Sequence, residues 1–200
     1  MRRALGLGAA GSVALVTPAE AHLVTTGLGP VYDGIGHVLA SPDDLVPVIV
    51  MALLAGLNGA SGARRVLFVL PLAWLLGGTA GFVAGRPLVP GAVTAVSFLV
   101  LGILTAADRR LSPAIVTVLA AAVGSLHGWL NGASLAESGR ELLGIVGIVA
   151  TVFVLVALIA AFVVSLRAGW ARVVVRVAGS WAAASGLLML GWSLRDAFAG

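Results

Sequence analysis

The chain contains no cysteine and no lysine, and only 10% of its 200 residues are charged. Without cysteine there are no disulfides and no thiolate ligands, so any metal site must use nitrogen and oxygen donors. A soluble domain usually carries about a quarter charged residues, whereas here 60% of the residues are hydrophobic. The arginines are dispersed among short loops instead of forming one basic face, which excludes nucleic acid as an expected partner. The composition indicates a membrane protein.

Long apolar runs indicate how the chain crosses the bilayer. Stretches of about twenty apolar residues recur, and each is long enough to span a membrane as a helix. Because no alternating strand pattern accompanies them, a helical bundle is favoured over a barrel. We therefore predict an all-α fold, a polytopic bundle of about six transmembrane helices in one domain over residues 43–200. The spans are expected at residues 43–60, 65–85, 88–107, 112–131, 141–166 and 171–194.

The N-terminus has the pattern of a secretion signal. Residues 1–3 are positively charged, residues 4–16 are apolar, and Ala19-Glu20-Ala21 has the small-x-small form of a cleavage site. We predict a cleaved signal peptide over residues 1–21, the alternative being an uncleaved anchor helix. Cleavage would make His22 the first mature residue, whose amino group and imidazole can chelate one metal ion. The alternative for His22 is a polar residue at a frayed end.

The distribution of arginine predicts the orientation. If the signal peptide delivers residue 22 to the outside, the inner loops and their flanks hold seven arginines and the outer segments three, which is the positive-inside bias. We therefore expect the bacterial inner (cytoplasmic) membrane, with the mature N-terminus outside. Six of the seven acidic residues that follow residue 21 then lie outside, which makes the outer mouth attractive to cations. The inner arginines are Arg64, Arg65, Arg109, Arg110, Arg167, Arg172 and Arg176.

All three histidines fall at the predicted outer end. His22 and His37 flank Asp33 in an outer-face segment, residues 22–42, and His127 lies near the end of the fourth span. Asp33 and His37 are four residues apart, so on a helix they share a face. Imidazole and carboxylate groups are costly in hydrocarbon, so a cluster of them marks a functional site. We predict that His22, Asp33, His37 and His127 bind one divalent transition-metal ion, and affinity alone does not choose among nickel, cobalt, copper and zinc.

Several of these polar residues also have structural interpretations. His37 can bond Asp33, and His127 can donate to a backbone carbonyl. Asn131, four residues after His127, is a poor ligand beside imidazole, and we expect it to orient His127 or to cap the helix end.

Two further groups of residues are interpreted as structural. Ser41-Pro42-Asp43-Asp44 has the pattern of a helix start, so we interpret Asp43 and Asp44 as capping residues. The five tryptophans, Trp74 among them, lie mostly toward span ends and are interpreted as interfacial anchors.

Two stretches resemble a known family. Gly29-Pro-Val-Tyr-Asp-Gly-Ile-Gly-His37, followed by Ser41-Pro-Asp-Asp-Leu-Val-Pro47, is similar to the HupE/UreJ family of hydrogenase and urease accessory membrane proteins. The resemblance extends to the N-terminal histidine after a signal peptide and to His127-Gly128, and it covers nearly the whole chain. One departure is that the family often has a second histidine in an HGxxHG pattern with an acidic residue following, where this chain has Asn131 and then Ser134.

The resemblance implies a secondary permease for nickel or cobalt that serves metalloenzyme maturation. His22, Asp33, His37 and His127 are then its metal-binding set. The expected partners are the lipid bilayer and the metal ion, with other membrane subunits or a metallochaperone as further candidates. Glu137 is a candidate replacement for the missing ligand of the second motif.

Two other functional classes compete with the permease. The first is a membrane metal-binding protein that presents nickel, copper or zinc at the outer face without moving it. The second is an intramembrane enzyme, which we do not expect, because the sequence contains no GxSxG or HExxH motif. Ser125 and His127 are two residues apart and point to different sides of a helix. No P-loop is present, so transport is expected to be passive, ion-coupled or dependent on a partner.

Overall fold

The computed structural model describes residues 25–85 and 91–199, which form seven α-helices and no strand. This confirms the all-α prediction. The predicted signal peptide and His22 lie outside the described residues. The helices are α1 (Pro30–Ala40), α2 (Pro42–Leu57), α3 (Gly59–Ala84), α4 (Gly91–Ala107), α5 (Pro113–Glu137), α6 (Gly144–Ser165) and α7 (Gly169–Ala199).

Helices α2 to α7 correspond to the six predicted spans, but the count of six is not confirmed. Four helices (α3, α5, α6 and α7) are long and apolar enough to cross a membrane. A fifth span results if α1 and α2, which meet at an angle of 75°, are taken together as one broken or re-entrant segment. Within α4, residues 94–107 form a shorter apolar helix. These helices place the protein in a lipid bilayer.

The break between α1 and α2 is explained by Pro42. Proline has no backbone N–H and disfavours the helical conformation of the residue before it. Ser41 accordingly has extended backbone angles, φ −102° and ψ 101°, between the two helices. The chain therefore turns sharply, and α1 packs against α6 where Gly34 and Gly147 have no side chain to hold the helices apart.

Small residues also bring α3 and α5 together. A Cβ atom on Gly124 would lie 2.6 Å from the Leu70 carbonyl oxygen, and one on Gly128 would clash with the backbone of Trp74. These contacts advance in the same direction along both helices, so α3 and α5 run parallel. Trp74, in the middle of α3, therefore lies beside the part of α5 that carries His127.

Helices α4 and α7 form a second close pair. Gly102 and Gly179 allow the two backbones to approach, and Arg172 on α7 binds Asp108 after α4, with Nη2–Oδ1 at 2.6 Å. These contacts run in opposite directions along the two helices, so α4 and α7 are antiparallel.

The two ends of the bundle can be identified from their hydrogen bonds. At one end, called the site end, Arg140 in the α5–α6 loop binds Asp33 on α1. At the other, called the far end, the Leu111 backbone N–H donates to Asn58 Oδ1 at 2.8 Å and joins the α4–α5 loop to the α2–α3 turn. Between them the core is apolar, with Met51, Leu54 and Leu70 fully buried.

Candidate metal centre at Asp44

The buried carboxylate of Asp44 is the centre of the polar cluster at the site end. Asp44 is the third residue of α2 and is only 5% exposed. Its carboxylate contacts three side chains from two other helices: His37 on α1, and His127 and Asn131 on α5. Asp44 lies in the first turn of α2, as the interpretation as a capping residue expected, but its carboxylate also points into the bundle, which that interpretation did not include. Asp43, one residue earlier, is exposed.

His37 reaches Asp44 across the break between α1 and α2. Its Nε2 lies 3.4 Å from Asp44 Oδ2, and its Nδ1 lies 3.4 Å from the Ser41 hydroxyl. Ser41 occupies the N-cap position of α2, but its side chain makes no capping hydrogen bond. The sharp turn at Ser41 thus folds the last turn of α1 back over the first turn of α2 and brings an imidazole onto the carboxylate.

His127 is held on both ring nitrogens. Its Nδ1 lies 3.2 Å from Asp44 Oδ1, and its Nε2 lies 3.0 Å from the Ser97 hydroxyl on α4. The same hydroxyl donates to the Thr94 carbonyl at 2.7 Å. His127 is 1% exposed, so the imidazole is fixed in the interior between α2, α3 and α4. His37 and His127 thus contact the same carboxylate, and their predicted role as metal ligands stays a prediction.

Trp74 and Asn131 orient the carboxylate from the other side. Asn131 Nδ2 donates to Asp44 Oδ2 at 2.8 Å, and Trp74 Nε1 donates to Asn131 Oδ1 at 3.2 Å. An indole N–H is only a donor, so the amide oxygen must face Trp74 and the amide NH₂ must face Asp44. The Trp74 ring also stacks on His127, with centroids 5.6 Å apart. Trp74 is fully buried, which corrects its interpretation as an interfacial anchor.

A cavity of about 200 Å³ adjoins this cluster. Carboxylate, imidazole, hydroxyl and amide groups line it, which are oxygen and nitrogen donors suited to nickel, cobalt, copper or zinc. In the described part of the chain, no three His, Cys, Asp or Glu side chains are already arranged as the ligands of one ion. The imidazole nitrogens instead face the carboxylate oxygens directly. The lining residues are His37, Ala40, Ser41, Pro42, Asp43, Asp44, Thr94, His127, Leu130, Asn131 and Ser134.

Asp33 has different partners from those of His37, although both lie on α1. One oxygen of its carboxylate accepts from the Thr26 backbone N–H at 2.6 Å and the Thr26 hydroxyl at 2.7 Å, and the other accepts from Arg140 at 3.2 Å. Arg140 also donates to the Thr25 hydroxyl at 2.7 Å. Asp33 thus ties the segment before α1 to the α5–α6 loop. Its predicted role as a metal ligand, like that of His22, stays a prediction.

Sequence reasoning missed Asp44, Ser97 and Trp74 as members of this cluster. Asp44 follows a Ser-Pro pair that is typical of helix starts, so its position alone gave no reason to assign it elsewhere. Ser97 and Trp74 lie within apolar spans, far along the chain from His127. One usable signal was the burial expected of a tryptophan in the middle of a long span, since α3 begins fifteen residues before Trp74.

Comparison with known proteins supplies the family. Neither the comparison with curated proteins nor that with solved structures finds a match. A family model described as HupE / UreJ protein matches residues 10–189. The match includes every helix that contributes to the Asp44 cluster. Because it extends over most of the chain, the protein belongs to the HupE/UreJ family.

Proposed function

We propose that the protein is a membrane permease for nickel or cobalt, which it captures at the Asp44 cluster and supplies for metalloenzyme maturation. Membership of the HupE/UreJ family implies a nickel/cobalt accessory or transporter-like membrane protein. The observation that carries the proposal is one buried carboxylate contacted by two imidazoles beside a cavity. The arginine bias in the loops favours placing this end outside, where the ion would enter.

The spacing of the donor atoms supports the capture step. Neighbouring ligands of an ion with bonds of about 2.1 Å lie about 3.0 Å apart in an octahedron and about 3.4 Å apart in a tetrahedron. The two contacts between imidazole nitrogen and Asp44 oxygen measure 3.2 and 3.4 Å. These separations are compatible with donors that share one ion, provided that the two imidazole rings rotate so that their lone pairs converge on it. His37, Asp44 and His127 are the ligands we assign.

A metal-binding protein that does not transport is the second candidate. The observation that favours it is the apolar core between the site and the far end, where Met51, Leu54, Leu70 and Val116 are buried. Such a core provides no strong ligand for an ion to reach next. Binding and transport must therefore be measured separately.

The side chains of Ser97, His127 and Asp44 contact one another in the order of a Ser-His-Asp triad. Acyl hydrolysis is therefore a third candidate. Two observations oppose it. The Ser97 hydroxyl also donates to the Thr94 carbonyl, and Ser97 is not among the residues that line the cavity. We infer that the protein is not a hydrolase. A fluorophosphonate probe should leave Ser97 unlabelled, and specific labelling that disappears in Ser97→Ala would overturn this inference.

The permease proposal is tested with the purified protein in liposomes. Asp44→Asn should weaken binding of nickel and cobalt by at least about a hundredfold, because it removes the charge of a direct ligand, and loss of even an outer partner of a metal site costs about 10- to 100-fold. It should abolish uptake of radioactive nickel. Asp43→Asn is the matched control, because it removes one exposed carboxylate at the neighbouring position. Binding without uptake in the unchanged protein would favour the second candidate. Equal binding by both variants would exclude the Asp44 cluster as the site.

A further inference from the structure

A second cavity lies at the far end, in a groove between α3 and α6. It has a volume of about 250 Å³ and is separate from the Asp44 cluster. Its lining residues form one stripe on each helix: Ala60, Ala63, Arg64 and Leu67 on α3, and Val156, Ala157, Ala160, Ala161 and Val164 on α6. Their spacing is that of one helical face. Eight of the nine lining residues are apolar, and the ninth is Arg64.

The floor and walls of the groove differ in exposure. Val156 and Ala160 at the floor are buried, whereas Ala60, Arg64 and Val164 at the walls are exposed. The alanines leave a channel because their side chains are too short to fill the space between the helices. Along α6 the lining extends from Val156 to Val164, which is eight steps of 1.5 Å or about 12 Å. That length is close to the roughly 15 Å of hydrocarbon in one leaflet of a bilayer.

Arg64 supplies the only charge in this groove. It is the sixth residue of α3, near the far end, where a long side chain can extend to the level of the lipid headgroups. In the described part of the chain its guanidinium makes no hydrogen bond or ion pair, and no acidic residue lines the groove. An unpaired cation above an apolar channel of one leaflet's depth is complementary to an anionic headgroup above an acyl chain.

We propose that this groove binds one anionic phospholipid, with its phosphate on Arg64 and an acyl chain between α3 and α6. A zwitterionic lipid fits less well, because its cationic group has no acidic partner among the lining residues. A helix from another chain also fits less well, since it would leave the guanidinium unpaired unless it carried an acidic residue at that depth. The proposal does not depend on the metal site.

The test measures lipid binding to the purified full chain by native mass spectrometry, with phosphatidylglycerol as the probe and phosphatidylcholine as its zwitterionic control. Arg64→Gln should weaken phosphatidylglycerol binding by about fivefold, the effect expected of one basic residue at a membrane surface. Arg64→Lys should retain most of the binding. The matched control is Arg65→Gln, because Arg65 is exposed next to Arg64 but does not line the groove.

A second variant tests the acyl-chain part of the groove. Ala161→Leu should reduce binding by filling the channel, whereas Ala184→Leu on an exposed position of α7 should not. Equal effects of the two arginine variants would overturn the proposal, since they would indicate a general surface charge. Equal binding of phosphatidylcholine, or full competition by glycerol phosphate without an acyl chain, would overturn it as well.

Discussion

Asn131 should contribute more to stability than any other neutral side chain of the site, because it satisfies two buried groups at once. Replacing it by leucine, which has the same branched side-chain shape but is larger, removes the donor to Asp44 and the acceptor for Trp74. A hydrogen bond to a charged group contributes about 1.5–3 kcal/mol and one between neutral groups about 0.5–1.5 kcal/mol. Together they give about 2–4.5 kcal/mol.

Hydrogen bonds between membrane helices usually contribute less to the free energy of unfolding than these figures. They average about 0.6 kcal/mol in double-mutant cycles, because the unfolded chain in a membrane also finds partners. Two such bonds would give only about 1 kcal/mol. We expect the larger value here, because the variant leaves a carboxylate buried with one donor fewer.

The assay is a double-mutant cycle with unfolding in mixed micelles as the readout. Trp181, which is 72% exposed, serves as the control. Trp74→Phe alone should lower the free energy of unfolding by about 0.5–1.5 kcal/mol more than Trp181→Phe does. The double variant should be less destabilised than the sum of the singles, because Asn131→Leu no longer leaves an indole N–H unpaired. If the losses of the two single variants add up in the double variant, or if Asn131→Leu is as stable as the wild type, Asn131 does not link Trp74 to Asp44 through hydrogen bonds.

The packing and the ion pairs give four further expected outcomes. Asp33→Asn should change metal affinity by less than about twofold, because the Asp33 carboxylate is held by Thr26 and Arg140 and not by the Asp44 cluster; calorimetry that shows a large loss would instead support Asp33 as a ligand. Gly128→Val should prevent close packing of α3 on α5 and yield no folded monomer on size exclusion. Gly191→Ala, at an open position, should be tolerated and gain up to about 1 kcal/mol. Arg172→Gln should lower the free energy of unfolding by about 0.2–1 kcal/mol, because its ion pair with Asp108 is partly exposed.

The helices were predictable from the sequence because hydrocarbon imposes a length on each apolar run. The predicted span 141–166 and the observed α6, Gly144–Ser165, differ by only a few residues. The start of α2 could also be predicted from the sequence, because the Ser41-Pro42 pair ends one helix and begins another. The number of membrane crossings was harder to predict. Whether α1 and α2 make one broken span depends on the 75° angle between them, and that angle cannot be predicted from composition.

The sequence predicted which residue types form the site, but it identified only some of the residues that belong to it. His37 and His127 are rare residue types in an apolar chain, so they could be identified individually. Asp44 has two roles that the sequence pattern cannot separate, because an acidic residue in the first turn of a helix is favoured by the helix dipole wherever its side chain points. Only the packing of α1 and α5 against α2 shows that its carboxylate faces inward.

The position of Asn131 also bears on how tightly an ion can be held. Where the family often has a second histidine, this chain has an amide whose oxygen is already occupied by Trp74 Nε1. That hydrogen bond uses one of the two lone pairs of the amide oxygen and fixes its direction, and an amide oxygen is in any case a poor transition-metal ligand beside imidazole. The proposed ligand set is thus two imidazoles and one carboxylate, fewer protein ligands than a closed site would supply. An incomplete set of protein ligands favours release as well as capture, and a permeation site needs binding that is strong enough to admit an ion and weak enough to let it leave.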